Sequence, residues 1–485
     1  MKNKISEMVY QLNDIKEEVI DSNIYYVNPI DLLSVNRLDI IGKYLYLELK
    51  DKCPIYAKKF YREHIRAMTK GSFIEPYSDK TNLEAFITSF DNLLKSVKES
   101  GFDETKGIIP VDSKMNILDG AHRVAIGIHL GIAVPIIKIN IEGKNDIYDQ
   151  AYFGEQGVSN EYIDLMMLNY LKLTKENILC LNIWPSAIGH DNEVRDILDK
   201  HFKIIYDKKI ILNENGAFYY LYQIYKEYTW AQDNKDGYSG VYRKLIPCFR
   251  TFSAIKTFLL IPISNTDIVE IKSKLRNLYD LGKHSLHMTD NTQETIQMCN
   301  IILSDDTIKF LNVCKAAKFK STMNLIDKAI EIKKINDRVC FTGSLVLALH
   351  GIREANDVDY ICSNNDKDSH NSLIDYYELS VEEILYRPDL HISFMGLDYL
   401  KLNQVKQFKL NRREGKDLDD INLINKYETK GDGSFCVSFL RLKRRIIANI
   451  QGVFIRIAYA TKTYSLARSI HKKIKNNRSK RGKLL

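Results

Sequence analysis

The sequence predicts a multidomain protein of mixed α/β (α+β) class, and three observations support this prediction. The chain has 485 residues, more than one hydrophobic core usually organises, so about three domains are expected. Hydrophobic residues make up 45% and charged residues 27% of the chain, which is ordinary for globular proteins and excludes disorder throughout. Apolar β-type runs alternate with helical patterns of ten or more residues, an order typical of layered α/β structures.

The same patterns divide the chain into four parts. Residues 1–150 alternate helical and strand patterns and close with a strand–loop–helix–strand unit, and residues 151–320 form an α/β middle domain. Residues 321–427 form a third unit, which a GDGS linker at 431–434 separates from a basic tail at 435–485. In the middle domain, short polar residues that cap free N–H groups predict helix starts; they are Asn213, Thr266 and Asn291.

Cysteine usage and hydropathy predict a cytoplasmic protein. The eight cysteines are scattered, without a CxxC pair or a Cys/His cluster at zinc spacing, so reduced thiols are expected. The N-terminal residues mix acidic with apolar side chains, which indicates an amphipathic helix and not a signal peptide. No window reaches the ~18 uninterrupted apolar residues that a membrane-spanning helix needs.

A first motif, Asp119-Gly120-Ala121-His122-Arg123, stands at a predicted turn from strand to helix. Glycine allows the backbone to close around an anion, and the free N–H groups of a helix N-terminus point at that anion. Arg123 and His122 would add charge-assisted donors, and Asp119 would hold a metal ion or accept a proton. The alternative is a helix capped by Asp119, with His122 and Arg123 on its solvated face.

The run GIIPVDSKMNILDGAHRVAIGIHLGIAVPIIKI, which contains this motif, resembles the ParB/sulfiredoxin-like superfamily over about residues 100–140. Members include sulfiredoxin, CTP-binding partition proteins and free-serine kinases, and their loop binds nucleotide or phosphate. The resemblance implies that Asp119, Gly120, His122 and Arg123 form a phosphate site, with Asp119 and His122 in catalytic roles. No cysteine stands beside the motif and no helix-turn-helix follows it, which leaves the kinase-like branch.

Three charged residues upstream, Arg37, Asp39 and Lys43, stand among many apolar ones. They either complete the phosphate site or form a surface ion-pair network, and the sequence favours the surface network.

A second motif begins with Gly343-Ser344, between a short strand and a helix, and continues with Asp357 and Asp359 before another strand. Side chains two apart on a strand share a face. The two carboxylates are therefore predicted to converge on one Mg²⁺ ion, a cation that prefers oxygen ligands. The Gly-Ser turn would contact the triphosphate that the metal neutralises. The alternative is a chance Asp-x-Asp in a loop.

This arrangement resembles the nucleotidyltransferase superfamily over about 90 residues, including a Lys-Asp-Leu-x-Asp-Ile ending that begins at Lys416. The resemblance implies catalysis and metal binding by Asp357 and Asp359, and phosphate binding by Gly343, Ser344 and Lys416. Active members carry a third carboxylate on a later strand, where Asp389 and His391 are the candidates; His370, Asn371 and Tyr376 are further polar candidates. Similar uncharacterised proteins occur in capsule and lipopolysaccharide gene clusters.

The basic tail carries 14 Lys and Arg and no Asp or Glu after residue 440, so removing it turns a net charge of +8 into −6. Its apolar residues fall at helical spacing, which indicates an amphipathic helix on an anionic membrane surface. Packing against the rest of the protein is the second alternative, and nucleic acid is the least favoured partner.

These observations predict a nucleotide-dependent enzyme that uses Mg²⁺ and a nucleoside triphosphate, ATP or CTP, for phosphoryl or nucleotidyl transfer. The expected acceptor is a small or lipid-linked sugar or polyol precursor of cell-surface polysaccharide. Two other functions stay open: a nucleotide-sensing defence or antitoxin-type nucleotidyltransferase, and a ParB-like DNA-binding module.

Overall fold

The computed structural model describes residues 20–430, apart from 76–77, 106, 141–145, 233–236 and 365. This part of the chain has a mixed α/β structure with three separate sheets, which confirms the predicted class. One cluster of buried apolar side chains runs through all three sequence regions, and a smaller cluster lies within the middle region. None of the helices in the described residues is long and apolar enough to cross a membrane.

The first region contains a three-stranded sheet in the order β1-β3-β2. β3 is antiparallel to β1 and parallel to β2. The strands are β1 (Ile20–Val27), β2 (Ile109–Val111) and β3 (Val134–Ile139). The helices are α1 (Leu38–Leu49), α2 (Pro54–Met68), α3 (Leu83–Ser100) and α4 (Ala121–Leu130). The predicted strand–loop–helix–strand unit is thus β2, the DGAHR loop, α4 and β3.

The middle region contains a four-stranded sheet in the order β5-β6-β4-β7, in which every neighbouring pair is antiparallel. Its strands are β4 (Leu179–Ile183), β5 (Phe202–Ile210), β6 (Ile255–Pro262) and β7 (Leu286–Met288). Its helices are α5 (Gln150–Glu155), α6 (Asn160–Leu173), α7 (Asp191–His201), α8 (Glu214–Tyr225), α9 (Thr229–Gln232), α10 (Ser239–Cys248), α11 (Ile268–Leu278), α12 (Thr292–Ile302) and α13 (Asp305–Val313).

The order of these elements is that of a split βαβ, or ferredoxin-like, unit. α7 connects β4 to β5 and α11 connects β6 to β7, while α8, α9 and α10 lie between the two halves. The alternation of strands and helices is confirmed. A crossover helix requires only that the two strands it connects are parallel, and these strands need not be neighbours. Here β6 lies between β4 and β5. The sheet is therefore antiparallel.

The third region contains a four-stranded sheet in the order β10-β11-β8-β9, with β8 parallel to β11 and antiparallel to β9. Its strands are β8 (Val339–Thr342), β9 (Asp359–Cys362), β10 (His391–Phe394) and β11 (Leu397–Leu400). Its helices are α14 (Lys320–Ile335), α15 (Gly343–Leu349), α16 (Val381–Tyr386), α17 (Leu402–Arg412) and α18 (Gly415–Lys430). A 3₁₀ helix spans His370–Tyr377.

Buried ion pairs hold α18 against α17 and against the loop after α15. Asp417 is fully buried and accepts from Lys409 Nζ at 3.1 Å and from Arg412 Nε at 2.8 Å. Asp420 is 2% exposed and accepts from Lys409 Nζ at 2.8 Å and from Arg353 Nε at 2.5 Å. Removing one member would leave a buried charge without its partner, which is strongly destabilising.

We expect the substitution Asp417→Asn to lower stability by about 1.5–3 kcal/mol at neutral pH, the scale of a hydrogen bond to a charged group. Burial raises the pKa of Asp417, but the bonds from Arg412 and Lys409 outweigh it and lower the pKa to about 2, from an ordinary 3.8. The stabilisation is therefore complete above about pH 4 and is lost as the pH falls towards 2.

Urea midpoints of the parent and the variant, measured at several pH values, test this expectation. The difference between the two proteins should shrink as the pH falls from 4 to 2. Asp419→Asn, at an exposed position of the same helix, is the matched control and should leave the midpoint unchanged. A difference that persists undiminished at pH 2 would contradict the assignment.

Candidate functional site

The DGAHR loop leads into α4 as predicted, but the residues before it form only an isolated β-bridge between Ile117 and Val111 and not the predicted strand. Gly120 is the N-cap of α4 with φ +94°, a left-handed conformation that favours glycine. A Cβ at this position would also lie 3.0 Å from the side chain of Ile109. The Gly120 amide donates to Asp119 Oδ1 at 2.6 Å. Asp119 itself is exposed at the start of the helix, so its carboxylate can also contact a ligand.

His122 is held by aromatic neighbours. Its Nε2 lies 3.1 Å from the Tyr61 hydroxyl, and its ring contacts Phe90 edge-on at 4.6 Å. Burial, helped by the positive charges of Lys43 and Lys80, holds the pKa of His122 well below its ordinary value. The imidazole is therefore neutral at pH 7, whereas the sequence led us to expect a charged donor.

Arg123 occupies a space that a glycine leaves open. A Cβ at Gly107 would lie 2.0 Å from Arg123 Nη2 and 2.2 Å from its Cζ. Burial lowers the pKa of Arg123, and the nearby carboxylate of Asp119 opposes this effect. Gly107 is the first residue of the run that resembles the ParB/sulfiredoxin-like superfamily. Its missing side chain was the available sequence signal for this close approach, which was not predicted.

The three upstream residues form a buried cluster, so the favoured prediction of a surface ion-pair network is wrong. Asp39 is 1% exposed and receives a two-pronged contact from Arg37, with Nε–Oδ1 at 2.8 Å and Nη2–Oδ2 at 3.1 Å. Lys43 Nζ donates to Asp39 Oδ2 at 3.1 Å and lies 3.4 Å from His64 Nε2. Arg37 Nη1 donates to the carbonyl of Ile117 at 2.7 Å, just before the DGAHR loop.

The cluster has a net charge of +1, because Arg37 and Lys43 are cations and Asp39 is the only carboxylate among the three. Burial raises the pKa of Asp39, but Lys43 and Arg37 outweigh it and hold the pKa far below its ordinary value. Burial and Lys43 keep the pKa of His64 well below its ordinary value, so this ring is uncharged at neutral pH. Two cations therefore face one carboxylate in a place where water screens them weakly, which favours an anion nearby.

The cluster and the DGAHR loop line one cavity of about 990 Å³, which we call the DGAHR cavity. Lys70 and Lys80 also line it, and the sequence analysis missed both. Among the described residues, five cationic and four acidic side chains contribute to its walls. They are Arg37, Lys43, Lys70, Lys80 and Arg123, and Asp39, Glu75, Asp119 and Asp146.

The Gly-Ser turn of the second motif forms between β8 and α15 as predicted, but Asp357 precedes β9, so the two aspartates do not lie on one strand. Gly343 has φ +63°, and a Cβ there would lie 1.9 Å from Asp359 Oδ2. Ser344 Oγ donates to Asp357 Oδ1 at 2.9 Å, and the Ser344 amide donates to the carboxylate of Asp359. The structure thus brings Gly343, Ser344, Asp357 and Asp359 together.

His370 adds a contact to this group. Its Nε2 lies 3.0 Å from Asp359 Oδ1, and its Nδ1 lies 3.2 Å from the Tyr377 hydroxyl. The Tyr377 hydroxyl in turn lies 3.2 Å from Thr342 Oγ1. Burial raises the pKa of Asp359, but His370 and the Ser344 amide outweigh it and lower the pKa. His370 was a polar candidate predicted from the sequence, whereas Tyr377 and Thr342 were not predicted.

The cations beside Asp359 are Lys409 and Arg412, whereas the sequence predicted Lys416. Lys409 and Arg412 of α17 lie close enough to influence the carboxylate of Asp359 electrostatically. Lys416, the predicted phosphate ligand, has a largely exposed side chain and pairs with Glu414 at 3.2 Å. The structure does not bring Lys416 to the Gly-Ser turn. The three-residue spacing of Lys409 and Arg412 was the available sequence signal, since it places both on one helix face.

Asp389 and His391 lie at the opposite edge of the sheet from Asp359. His391 begins β10, and three interstrand spacings of about 4.8 Å each separate β10 from β9. Asp389 is held by Arg387, with Nε–Oδ1 at 3.1 Å, and His391 Nε2 lies 2.5 Å from the carbonyl of Ile384. The two predicted third-site residues are thus apart from the Gly-Ser turn.

Asp357 and Asp359 both contact Ser344, and their carboxylate oxygens are the type of ligand that suits a hard cation such as Mg²⁺. Among the described residues, no group of three or more His, Cys, Asp or Glu side chains is arranged to hold a metal ion.

The basic tail at 435–485 lies outside the described residues, so its membrane contact stays a prediction. No family model, curated protein or solved structure matches this chain.

We expect Asp39→Ala to destabilise the protein by about 3–5 kcal/mol, because it leaves Arg37 and Lys43 buried without their shared carboxylate. Chemical unfolding followed by circular dichroism measures this loss. The control is Asp199→Ala, which removes an exposed partner of Arg195 and should cost less than about 1 kcal/mol. Equal effects of the two substitutions would show that the cluster contributes no more than a surface pair.

Proposed function

We propose that this protein is an enzyme that transfers a phosphoryl or nucleotidyl group from a nucleoside triphosphate, ATP or CTP. The observation that carries the proposal is the convergence of three features on the DGAHR cavity: a glycine-capped helix N-terminus, Arg123, and the positive Arg37–Asp39–Lys43 cluster. Helix N-termini and arginine side chains are the usual protein ligands of phosphate.

The motif residues and the buried cluster have proposed roles in binding. The free amides at the start of α4 and the guanidinium of Arg123 bind phosphate oxygens. The buried cluster supplies a fixed positive potential, because Asp39 prevents Arg37 and Lys43 from moving away. The neutral ring of His122 positions neighbouring groups by hydrogen bonds and adds no charge.

Asp119 is the proposed proton acceptor. Its carboxylate is exposed at the cavity and beside the proposed phosphate ligands. In phosphoryl transfer, an acceptor hydroxyl would attack the terminal phosphorus, give its proton to Asp119 and release the nucleoside diphosphate. The cavity of about 990 Å³ is large enough for a nucleotide with part of an acceptor. The identity of that acceptor as a small or lipid-linked sugar or polyol stays a prediction of the sequence.

Nucleotidyl transfer at the Gly-Ser turn is the second candidate. It is favoured by the two carboxylates, Asp357 and Asp359, that converge on Ser344. These carboxylates would hold a Mg²⁺ ion, which would neutralise triphosphate charge there. His370 orients Asp359 through a contact of 3.0 Å.

Replacing Arg123 with Ala should weaken nucleotide binding by about 1.5–3 kcal/mol, the scale of one hydrogen bond to a charged group. Titration calorimetry with ATP and with CTP measures the effect. Arg195→Ala removes an exposed arginine outside the cavity and should leave the affinity unchanged.

A second variant tests whether the position of the Arg123 guanidinium matters when its charge is retained. Gly107→Ala retains the arginine but fills the space that its guanidinium occupies, so nucleotide affinity should again fall. If neither Arg123→Ala nor Gly107→Ala changes the affinity for either nucleotide, the DGAHR loop is only a helix cap.

The products of turnover decide between the two candidate sites. Transfer at the DGAHR cavity should release a nucleoside diphosphate and should slow by about a hundredfold or more in Asp119→Asn, since general-base catalysis contributes on that scale. The double variant Asp357→Asn, Asp359→Asn should then retain full activity. Release of pyrophosphate, lost in the double variant and kept in Asp119→Asn, would assign the reaction to the Gly-Ser turn. Chromatography of the nucleotide products distinguishes these results.

A further inference from the structure

A second cavity, of about 420 Å³, lies where the three sequence regions meet, and we call it the junction cavity. Its walls come from α1 and α2, from α6, α12 and α13, and from the residues around β10 and β11. α1 separates it from the DGAHR cavity, because Lys43 lines the latter while Tyr44 and Glu48 line the former. The proposed transfer reaction uses none of its residues.

One stripe of α6 forms a long wall of the junction cavity. Glu161, Leu165, Leu168, Asn169 and Lys172 all line it, and positions i, i+4, i+7, i+8 and i+11 lie on one helix face. Other faces of α6 are buried in the protein. Glu161 and Lys172 are eleven residues apart, about 16 Å along the axis. This wall of the cavity therefore has an acidic end and a basic end with leucines between them.

The acidic end has a carboxylate without a partner. Glu161 has no hydrogen bond or ion pair with any described residue, whereas Asp389 is paired with Arg387 and Asp306 with Lys401. Burial raises the pKa of Glu161, and the negative charges of Asp389 and Asp306 raise it further, while the charges of Lys401 and Lys59 oppose this rise only in part. A cation beside Glu161 would relieve both effects.

The basic end has two cations without a carboxylate in ion-pair contact among the described residues. Lys172 has no hydrogen-bond partner there, and Arg338 stacks on the ring of Tyr386 at 5.0 Å. Asp398 acts electrostatically on Lys172 and accepts from Ser393 Oγ at 2.7 Å. An anion between Lys172 and Arg338 would neutralise two charges that now repel each other.

A third group in the wall also lacks a partner. Tyr56 is only 7% exposed, and its hydroxyl has no hydrogen-bond partner among the described residues. The charges that act on it most strongly are those of Glu161 and Asp389, so it lies at the acidic end. Buried hydroxyls are nearly always satisfied in native proteins. The oxygen has almost no accessible surface, so the hydroxyl stabilises the free protein little and is not a contact for a ligand in the cavity.

We propose that the junction cavity binds an elongated zwitterionic small molecule, with a protonated amine at Glu161 and a carboxylate or phosphate at Lys172 and Arg338. A ligand with one charge would leave the other end unneutralised. Leu165 and Leu168 lie between the ends and suit a methylene chain. The proposal goes beyond the transfer reaction and does not depend on it.

Titration calorimetry with ω-amino carboxylates of increasing chain length tests the proposal on the full-length protein. We expect 6-aminohexanoate to bind more tightly than hexylamine or hexanoate, each of which has only one charged end. A parallel titration with 6-aminohexyl phosphate shows which anionic group the basic end prefers. Equal binding of the singly charged probes, or no binding at any chain length, would overturn the proposal.

Three variants locate the site. Glu161→Gln and Lys172→Gln should each weaken binding of 6-aminohexanoate by about tenfold or more, the effect of losing one charged contact. Lys175→Gln, which removes a surface lysine paired with Asp31, should change nothing. Unchanged affinity in both Glu161→Gln and Lys172→Gln, with melting curves that show folded protein, would also overturn the proposal.

Discussion

The ion-pair cluster of Arg37, Asp39 and Lys43 is the constraint around which the candidate site is organised. Asp39 is buried and holds both cations. Arg37 also donates to the carbonyl of Ile117, which leads into the DGAHR loop, and Lys43 reaches His64 of α2. One buried carboxylate thus connects α1, α2 and the loop. Because each contact is costly to break in a buried place, these segments keep a fixed arrangement around the cavity.

The two candidate sites differ in their balance of charge, and this difference determines what each can bind alone. In the DGAHR cluster two cations share one carboxylate, so a phosphate group meets positive potential without further help. At the Gly-Ser turn, three cations accompany four carboxylates. The cations are Arg353, Lys409 and Arg412, and the carboxylates are Asp357, Asp359, Asp417 and Asp420. A triphosphate there would require a metal ion to offset the excess negative charge.

Features that depend on neighbouring residues were predictable from the sequence. The helix starts at Asn213 and Asn291 are confirmed, and the predicted start at Thr266 falls one residue before the true cap, Asp267. The Gly120 and Gly343 turns also formed as expected, because short-range capping and left-handed glycine conformations are local properties.

Features that depend on distant pairing were not predictable. Helical crossovers do not specify which strand lies between two others, so the antiparallel order of the middle sheet was missed. Asp389 precedes β10, and only the strand order reveals that β10 and β9 lie at opposite edges. The burial of Asp39 likewise depends on segments far away in the chain.

The most direct test of the central claim, that the DGAHR cavity holds the phosphates of a nucleotide, is hydrogen exchange followed by mass spectrometry with and without ATP or CTP. The account predicts slower exchange in peptides that cover residues 117–125, because bound phosphate would engage the free amides at the start of α4. It also predicts slower exchange near Arg37, which shares the cavity wall. Slower exchange around Ser344 alone, with residues 117–125 unchanged at saturating nucleotide, would contradict it.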